Sequence, residues 1–149
     1  MTIKIRKLQQ PTPRTCVHTC LAMVTGVSID SLIDRFGDRP LGIKEEVSVL
    51  IEHGIFPHPT TGNLHEFPFF GTYLVSTPSL NLPGKLHMVV VVLDDEGYSV
   101  IDPNEGREGV QAYTSDALPS GDLARCEVTY LNPSLLDEMR LTEKRTEAA

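Results

Sequence analysis

A short segment from Gln10 to Gly26, QPTPRTCVHTCLAMVTG, constrains the fold of this chain more than any other part of the sequence. The prolines at positions 11 and 13 exclude a helix across this turn, because proline lacks an amide donor and restricts the residue before it. From Cys16 onward, apolar residues recur at three- and four-residue spacing, which predicts a helix that ends at Gly26. Thr15 occupies the expected N-cap position, where its hydroxyl could accept a hydrogen bond from a helix amide. The pattern therefore places Cys16 in the first turn of a largely buried helix.

The position of Cys16 favours a reactive thiol. Unpaired amides and the helix dipole at a helix N-terminus stabilise a thiolate, the nucleophilic form of cysteine. Cys20 lies one turn further along, and we expect it to pack in the core and to be inert. A helix places His18 about 200° from Cys16 around its axis, which makes the CVHTC sequence unsuited to a shared metal ion. We expect neither a metal nor another cofactor.

The first half of the chain after this helix is predicted to be helical. SIDSLIDRFG has an apolar face, a cap at Ser28 and a terminating glycine. IKEEVSVLIEHG repeats the pattern, and four of its apolar residues are expected to face the core: Ile43, Val47, Leu50 and Ile51. Residues 56–68 are rich in proline and are predicted to form a loop. Residues 3–8 alternate between apolar and basic side chains, which predicts a short edge strand.

The second half is predicted to consist of strands. Five segments have the β-branched composition of strands: FFGTYLVST, LHMVVVVLDD, YSVID, GVQAY and ARCEVTYL. The acidic residues and glycine at 94–97 predict a hairpin turn, and Cys126 is expected to be packed. Helices followed by an antiparallel sheet are typical of an α+β fold. We expect a single domain over residues 1–133, followed by a helix and a frayed charged tail over residues 134–149.

Composition excludes several functions. A length of 149 residues fits one domain, and a formal net charge of −7 argues against nucleic acid as a partner. The chain has no stretch of about twenty apolar residues and no signal-peptide pattern, so we expect neither a membrane span nor export. Its three cysteines are an odd number, and two of them are spaced poorly for a disulfide. These features predict a reduced, cytoplasmic protein.

A histidine and an aspartate complete a catalytic pattern with Cys16. His87 begins the valine-rich strand, and the hairpin that follows returns the chain so that Asp102 lies level with it. Cysteine catalysis needs a nucleophile, a base within hydrogen-bond reach and a group that orients the imidazole. It also needs donors for the oxyanion, for which the Gln10 side chain and the Cys16 amide are candidates. Asn104 is a second candidate for orienting the histidine.

Two sequence blocks carry a resemblance to a known family. The first is Gln10, five residues, Cys16, three residues and CLAM; the second is HMVVVV followed by IDPNEG. They resemble the bacteriocin-processing papain-like cysteine peptidases, which are the leader-cleaving domains of double-glycine bacteriocin exporters and their free-standing relatives. The resemblance covers roughly residues 8–106 and implies a papain-like fold. It also implies that Gln10 supports the oxyanion, Cys16 attacks, His87 acts as base and Asp102 orients it.

The nucleophile segment departs from that family at the residue after the cysteine. Family members commonly have Asp-Cys-Gly, whereas this chain has Thr15-Cys16-Val17, which places a branched side chain near the cleft. The resulting hypothesis is a thiol-dependent hydrolase that cleaves a peptide or related amide bond of a peptide or protein substrate through an acyl-enzyme. Two alternatives remain open: an acyltransferase that uses the same thioester, and a catalytically silent module that binds a peptide or protein.

Overall fold

The computed structural model describes residues 3–60 and 67–133 and contains helices followed by strands. The helices of the first half are α1 (Cys16–Thr25), α2 (Ile29–Phe36) and α3 (Ile43–Glu52). The strands are β1 (Ile55–Pro59), β2 (Gly71–Pro78), β3 (Leu86–Asp94), β4 (Gly97–Ile101) and β5 (Glu127–Pro133). A four-residue helix, α4 (Ala117–Ser120), lies between β4 and β5. Among the described residues, no helix has the length and apolarity needed to cross a membrane.

The five strands form one antiparallel sheet in the order β1-β5-β2-β3-β4. Helix α1 packs on β3, and α3 packs on β1. The predicted α+β class, with N-terminal helices packed on an antiparallel sheet, is confirmed. Strand β3 lies between β2 and β4 and therefore has partners along both of its edges.

The sheet is covered on both faces, which explains the run of four valines in β3. Val90 packs in the core cluster that contains α1 residues, together with Met88 and Val92. Val89 and Val91 belong to a second cluster, which contains Tyr113 and the helix α4 residue Ala117. A strand with apolar layers on both faces has no solvent-exposed side, so its sequence is continuously apolar rather than alternating.

Helix α1 has the predicted position, but its first residue is not capped as expected. The Thr15 side chain makes no capping hydrogen bond; its hydroxyl donates to the Thr12 carbonyl oxygen at 3.1 Å. This hydroxyl instead stabilises the proline-containing turn before the helix. At the other end Gly26 has a φ of 83°, and its amide donates to the Ala22 carbonyl oxygen. A left-handed residue of this kind is the usual way for a helix to end. Helix α2 is capped as predicted, because Ser28 accepts from the Ser31 amide.

Three of the expected elements are absent or altered. Residues 3–8 are not a strand; they lie along the helical side of the core, and the Ile3 amide donates to the Asp94 carboxylate at 2.9 Å. GVQAY is not a strand either, because amides within it donate to side chains elsewhere, such as Gln111 to Asn81 at 2.7 Å. The proline-rich segment predicted to be loop contains β1, which pairs with β5. Prolines are tolerated there because β1 is an edge strand.

Two predictions about burial are also wrong. Helix α3 buries Val49 and Leu50, whereas Ile43 and Ile51 are 62% and 50% exposed. Ile43 and Ile51 line surface cavities, so the helix buries a narrower stripe than its sequence predicts. Cys126, expected to be packed, is exposed just before β5. The helix and tail predicted over 134–149 lie outside the described residues.

Candidate active site

His87 and Asp102 lie together at the end of the sheet. His87 is the second residue of β3, and Asp102 directly follows β4, its hairpin partner. The His87 Nε2 and an Asp102 carboxylate oxygen are 2.7 Å apart. Both residues are buried, with 7% and 1% of their surfaces exposed. A contact of this length between buried groups is a strong, charge-assisted hydrogen bond when the imidazole is protonated.

The Asp102 carboxylate is fixed by two further donors. The Asn104 amide donates to Oδ1 and the Tyr113 amide donates to Oδ2, each at 2.8 Å. The Asn104 side chain accepts from Arg107 at 2.8 Å. Asp102, and not Asn104, therefore contacts the histidine. The GVQAY segment, although not a strand, supplies one of the amides that hold this carboxylate in place.

Cys16 approaches the other side of the imidazole. Its side chain interacts with the imidazole closely enough to affect the pKa of His87, and both residues line the same cleft. Burial lowers the pKa of His87, but hydrogen bonds to Asp102 and Cys16 and their charges outweigh burial and raise the pKa to about 9. Because Nε2 faces Asp102, Nδ1 is the nitrogen available to the sulfur. The structure thus brings Cys16, His87 and Asp102 together in one series, in which His87 and Asp102 are hydrogen-bonded.

Gln10 is buried beside this series, with 1% of its surface exposed. Its backbone amide donates to the Pro103 carbonyl oxygen at 2.8 Å, which ties the nucleophile turn to the turn that carries Asp102. Its side-chain nitrogen donates to the Thr12 carbonyl oxygen at 2.8 Å, and its Oε1 has no partner among the described residues. The side-chain nitrogen carries two hydrogens, so one N–H remains available.

The turn before Cys16 is also held by Asp38, a residue that the sequence analysis did not identify. Asp38 follows the end of α2, and its carboxylate accepts from the Thr12 hydroxyl at 2.7 Å and from Arg14 at 3.1 Å. These hydrogen bonds hold the pKa of Asp38 below its ordinary value, with Arg14 as the largest cause. No spacing or motif in the sequence indicates this contact, because it joins two loops.

Two other residues of α1 that were considered as functional, Cys20 and His18, are buried in the protein. Cys20 is fully buried, which raises the pKa of its thiol, and the thiol donates to the Met88 carbonyl oxygen at 3.5 Å. Its predicted position in the core is confirmed, and its lack of reactivity stays a prediction. His18 is also buried, and its Nε2 lies 2.9 Å from the Gly37 carbonyl oxygen. Over residues 3–60 and 67–133, no three His, Cys, Asp or Glu side chains are grouped to hold a metal ion.

Cys16 and His87 open into a cleft of about 750 Å³. Val17 lines this cleft, as its position after the cysteine predicts. The cleft wall combines apolar side chains, such as Leu74 and Met88, with polar and charged ones. Its volume is within the range of clefts that bind small ligands and peptide side chains.

Solved structures of peptidase domains share this fold, and two of them cover most of the chain. The first is the peptidase domain of Streptococcus ComA, a bifunctional ABC transporter involved in a quorum-sensing pathway, with a TM-score of 0.61 and 17% identity over 87% of this chain and 98% of that chain. The second is a double-glycine motif protease from an AMS/PCAT transporter in complex with its leader peptide. Its TM-score is 0.59, with 12% identity over 88% of this chain and 93% of that chain. No family model and no curated protein sequence matches the chain. The chain therefore has the papain-like fold of double-glycine peptidase domains, as its two sequence blocks predicted.

Proposed function

We propose that this protein is a thiol-dependent hydrolase that cleaves a peptide or related amide bond. The observation that carries the proposal is the position of His87, buried between the Asp102 carboxylate and the Cys16 thiol at the wall of an open cleft. A nucleophile, a base and an orienting carboxylate are the groups that cysteine catalysis requires, which supports the proposal. In this proposal Cys16, His87 and Asp102 form the triad.

The proposed reaction begins with the thiolate of Cys16. With a pKa of about 9, His87 keeps its proton at neutral pH, and a protonated imidazole beside the sulfur favours the thiolate. Attack on the carbonyl carbon forms a carbon–sulfur bond and an oxyanion. The Cys16 amide and the free N–H of the Gln10 side chain are the proposed donors to that oxyanion.

His87 then gives its proton to the leaving amine, and the carbon–nitrogen bond breaks to leave a thioester on Cys16. The neutral imidazole takes a proton from water, whose oxygen attacks the thioester. The carbon–sulfur bond then breaks, which releases the acid product and returns Cys16 as a thiolate beside the protonated His87. Asp102 holds the ring in one orientation through both steps, because its carboxylate has two backbone amides to fix it. No cofactor takes part in this sequence of steps.

A peptide is the proposed substrate. The AMS/PCAT neighbour was solved with its leader peptide bound, and the shared fold makes peptide binding a reasonable property to transfer. We further propose a reducing, cytoplasmic location, because all three cysteines, which lie in the described part of the chain, are free. Neither nucleic acid nor a membrane is part of the proposal.

A silent binding module is the second candidate, and Val17 is the observation that favours it. Its branched side chain lines the cleft next to the nucleophile, where it could obstruct a scissile bond. A module of this kind would bind a peptide without using the thiol. The two candidates therefore differ in the reactivity of Cys16 and in whether products form.

The first test is the rate of Cys16 alkylation by iodoacetamide at pH 7 in a Cys126→Ser background. Cys126 is replaced because it is exposed, whereas Cys20 is fully buried and remains. We expect His87→Gln to slow alkylation about tenfold or more, because the neighbouring imidazolium is lost. A rate that is unaffected by His87 and equal to that of an ordinary thiol would favour the binding module.

The second test is cleavage of a peptide library by the wild-type protein and by Cys16→Ala, with Cys126→Ala as the matched cysteine control. We expect Cys16→Ala to abolish cleavage and Cys126→Ala to preserve it. Added hydroxylamine or a primary amine separates hydrolysis from acyl transfer, since a transferase gives the amide product in preference to the acid. Cleavage that survives in Cys16→Ala contradicts the mechanism.

A further inference from the structure

The segment that carries Tyr113 is anchored at both of its ends, and these anchors carry an inference that rests on the proposed function. Residues 110–114 form neither helix nor strand, so contacts with other parts of the chain must hold them in place. The position of this segment matters to the site, because the Tyr113 amide donates to Oδ2 of Asp102 at 2.8 Å. Oδ1 of the same carboxylate accepts from the His87 ring and from the Asn104 amide. Within the described part of the chain, the Tyr113 amide is thus the one hydrogen-bond partner of Oδ2.

The Tyr113 side chain holds one end of this segment against β2. Its ring is buried in one of the two core clusters of the sheet. Its hydroxyl donates to the Pro78 carbonyl oxygen at 2.7 Å and lies 3.2 Å from the Thr77 hydroxyl. Thr77 lies opposite His87 in the pairing of β2 with β3. The tyrosine therefore fixes its own amide relative to the two strands at the base of the site.

Asn81 holds the other end of the segment. Its side-chain oxygen accepts from the Gln111 amide at 2.7 Å, and its side-chain nitrogen donates to the Gln111 carbonyl oxygen at 2.8 Å. Asn81 is itself fixed in the loop between β2 and β3, where the Ser79 hydroxyl accepts from the amides of Asn81 and Leu82 at 3.2 and 3.0 Å. Leu82 and Lys85 of this loop line the cleft. One set of hydrogen bonds therefore joins the cleft wall to the segment that binds the carboxylate.

We propose that Tyr113 and Asn81 are positioning residues of the triad, which hold residues 111–113 so that the Tyr113 amide fixes the Asp102 carboxylate. Both act through the backbone of this segment and not on the substrate. When either anchor is lost, the amide moves away from Oδ2, and the carboxylate is free to turn away from the imidazole. The hydrogen bond from Nε2 of His87 then weakens, and the base loses its fixed orientation.

The titration of His87 tests this role independently of activity. Burial lowers the pKa of His87, and the hydrogen bond to Asp102 is the largest of the effects that raise it. We expect the pKa of His87, followed by NMR of its ring hydrogens from pH 5 to 10, to fall in Tyr113→Phe and in Asn81→Ala. The signal is assigned by its absence in His87→Gln.

Two controls distinguish positioning from a general loss of stability. Tyr73→Phe removes a hydroxyl of the same kind, because Tyr73 lies in the same core cluster and its hydroxyl donates to the Phe69 carbonyl oxygen at 2.6 Å. Gln111→Ala keeps the two backbone groups that Asn81 contacts. The pKa of His87 should stay at its wild-type value in both controls. Urea unfolding should show a loss of stability in both tyrosine variants.

The rate of Cys16 alkylation by iodoacetamide at pH 7, in the Cys126→Ser background, is the second readout. We expect Tyr113→Phe and Asn81→Ala each to slow alkylation about threefold, because a less basic imidazole leaves less of the sulfur as thiolate. If Tyr113→Phe fails to fold, Asn81→Ala decides alone, since its hydrogen bonds to the segment lie at the surface.

The outcomes for the positioning role and for the hydrolase are distinguishable. A pKa of His87 that is unchanged in Tyr113→Phe and Asn81→Ala, or that falls equally in Tyr73→Phe, overturns the positioning role and leaves the hydrolase intact. A pKa that falls only in Tyr113→Phe and Asn81→Ala supports the positioning role. If the wild-type Cys16 then reacts as an ordinary thiol and no peptide is cleaved, the positioning role stands and the hydrolase is overturned.

Discussion

His87 has contacts that couple its protonation to the stability of the fold. Its pKa is about 9 in the folded protein, against about 6.5 for an unperturbed histidine. A raised pKa stabilises the fold fully below the unfolded value, and the contribution is lost as pH rises through the folded value. The stabilisation by His87 is therefore present at pH 6 and absent at pH 10.

The corresponding experiment compares urea unfolding of the wild type and His87→Gln at pH 6, 8 and 10. We expect the stability advantage of the wild type to shrink by about 3 kcal/mol from pH 6 to pH 10, since the shift in pKa corresponds to that free energy. The difference between the proteins is the relevant quantity, because other groups titrate in both. An advantage that stays constant with pH contradicts an elevated histidine pKa.

At the scale of elements, the turn before α1 is held from outside the helix. Asp38 binds both the Thr12 hydroxyl and Arg14, so this loop after α2 positions the turn that leads into Cys16. We expect Asp38→Ala to slow alkylation of Cys16 about threefold or more, because the sulfur is no longer held against His87. Asp30→Ala, in the first turn of α2 and outside this contact, is the control. Far-UV circular dichroism should show the same helix content in both variants, and equal alkylation rates would exclude a positioning role.

Helix α3 offers a direct comparison between sequence pattern and observed burial. The apolar periodicity predicts that Ile43 faces the core, yet this side chain is 62% exposed, whereas Val90 in β3 is fully buried. We expect Val90→Ala to lower the free energy of unfolding by about 2 kcal/mol through lost burial and a cavity. Ile43→Ala should change it by about 0.5 kcal/mol or less. Urea unfolding of both variants measures these changes. A large loss of unfolding free energy in Ile43→Ala would show that Ile43 is packed in the core, as the apolar periodicity predicts.

The elements that could be predicted from sequence are those with a local cause. The helices α1 to α3 follow apolar periodicity and terminating glycines, and the β3–β4 hairpin follows from a turn at 94–97. His87 and Asp102 could be matched because only this hairpin separates them. Strand β1 could not be predicted, because its proline-rich sequence argues against a strand and its partner β5 lies far along the chain. The contact of Asp38 could not be predicted for the same reason, since it joins two loops that no local sequence pattern relates.

At the scale of the whole molecule, β5 connects parts of the chain that are distant in sequence. It pairs with β1 on one side and with β2 on the other, so β1 joins the sheet through this strand. Val128 and Leu131 within it contribute to opposite core clusters. We therefore propose that the folded unit extends at least to Pro133, the last residue of β5, where the domain of residues 1–133 predicted from sequence ends.

Two truncated chains distinguish the need for β5 from any contribution of residues 134–149 to stability. We expect a chain that ends at Pro133 to unfold cooperatively, with a Tm within about 3 °C of the full chain, because every strand of the sheet is kept. A chain that ends at Gly121 lacks β5 and should not fold, since β1 loses its partner and both clusters lose buried side chains. Thermal unfolding followed by circular dichroism distinguishes the two. A large loss of stability in the chain that ends at Pro133 would show that the unit extends beyond β5.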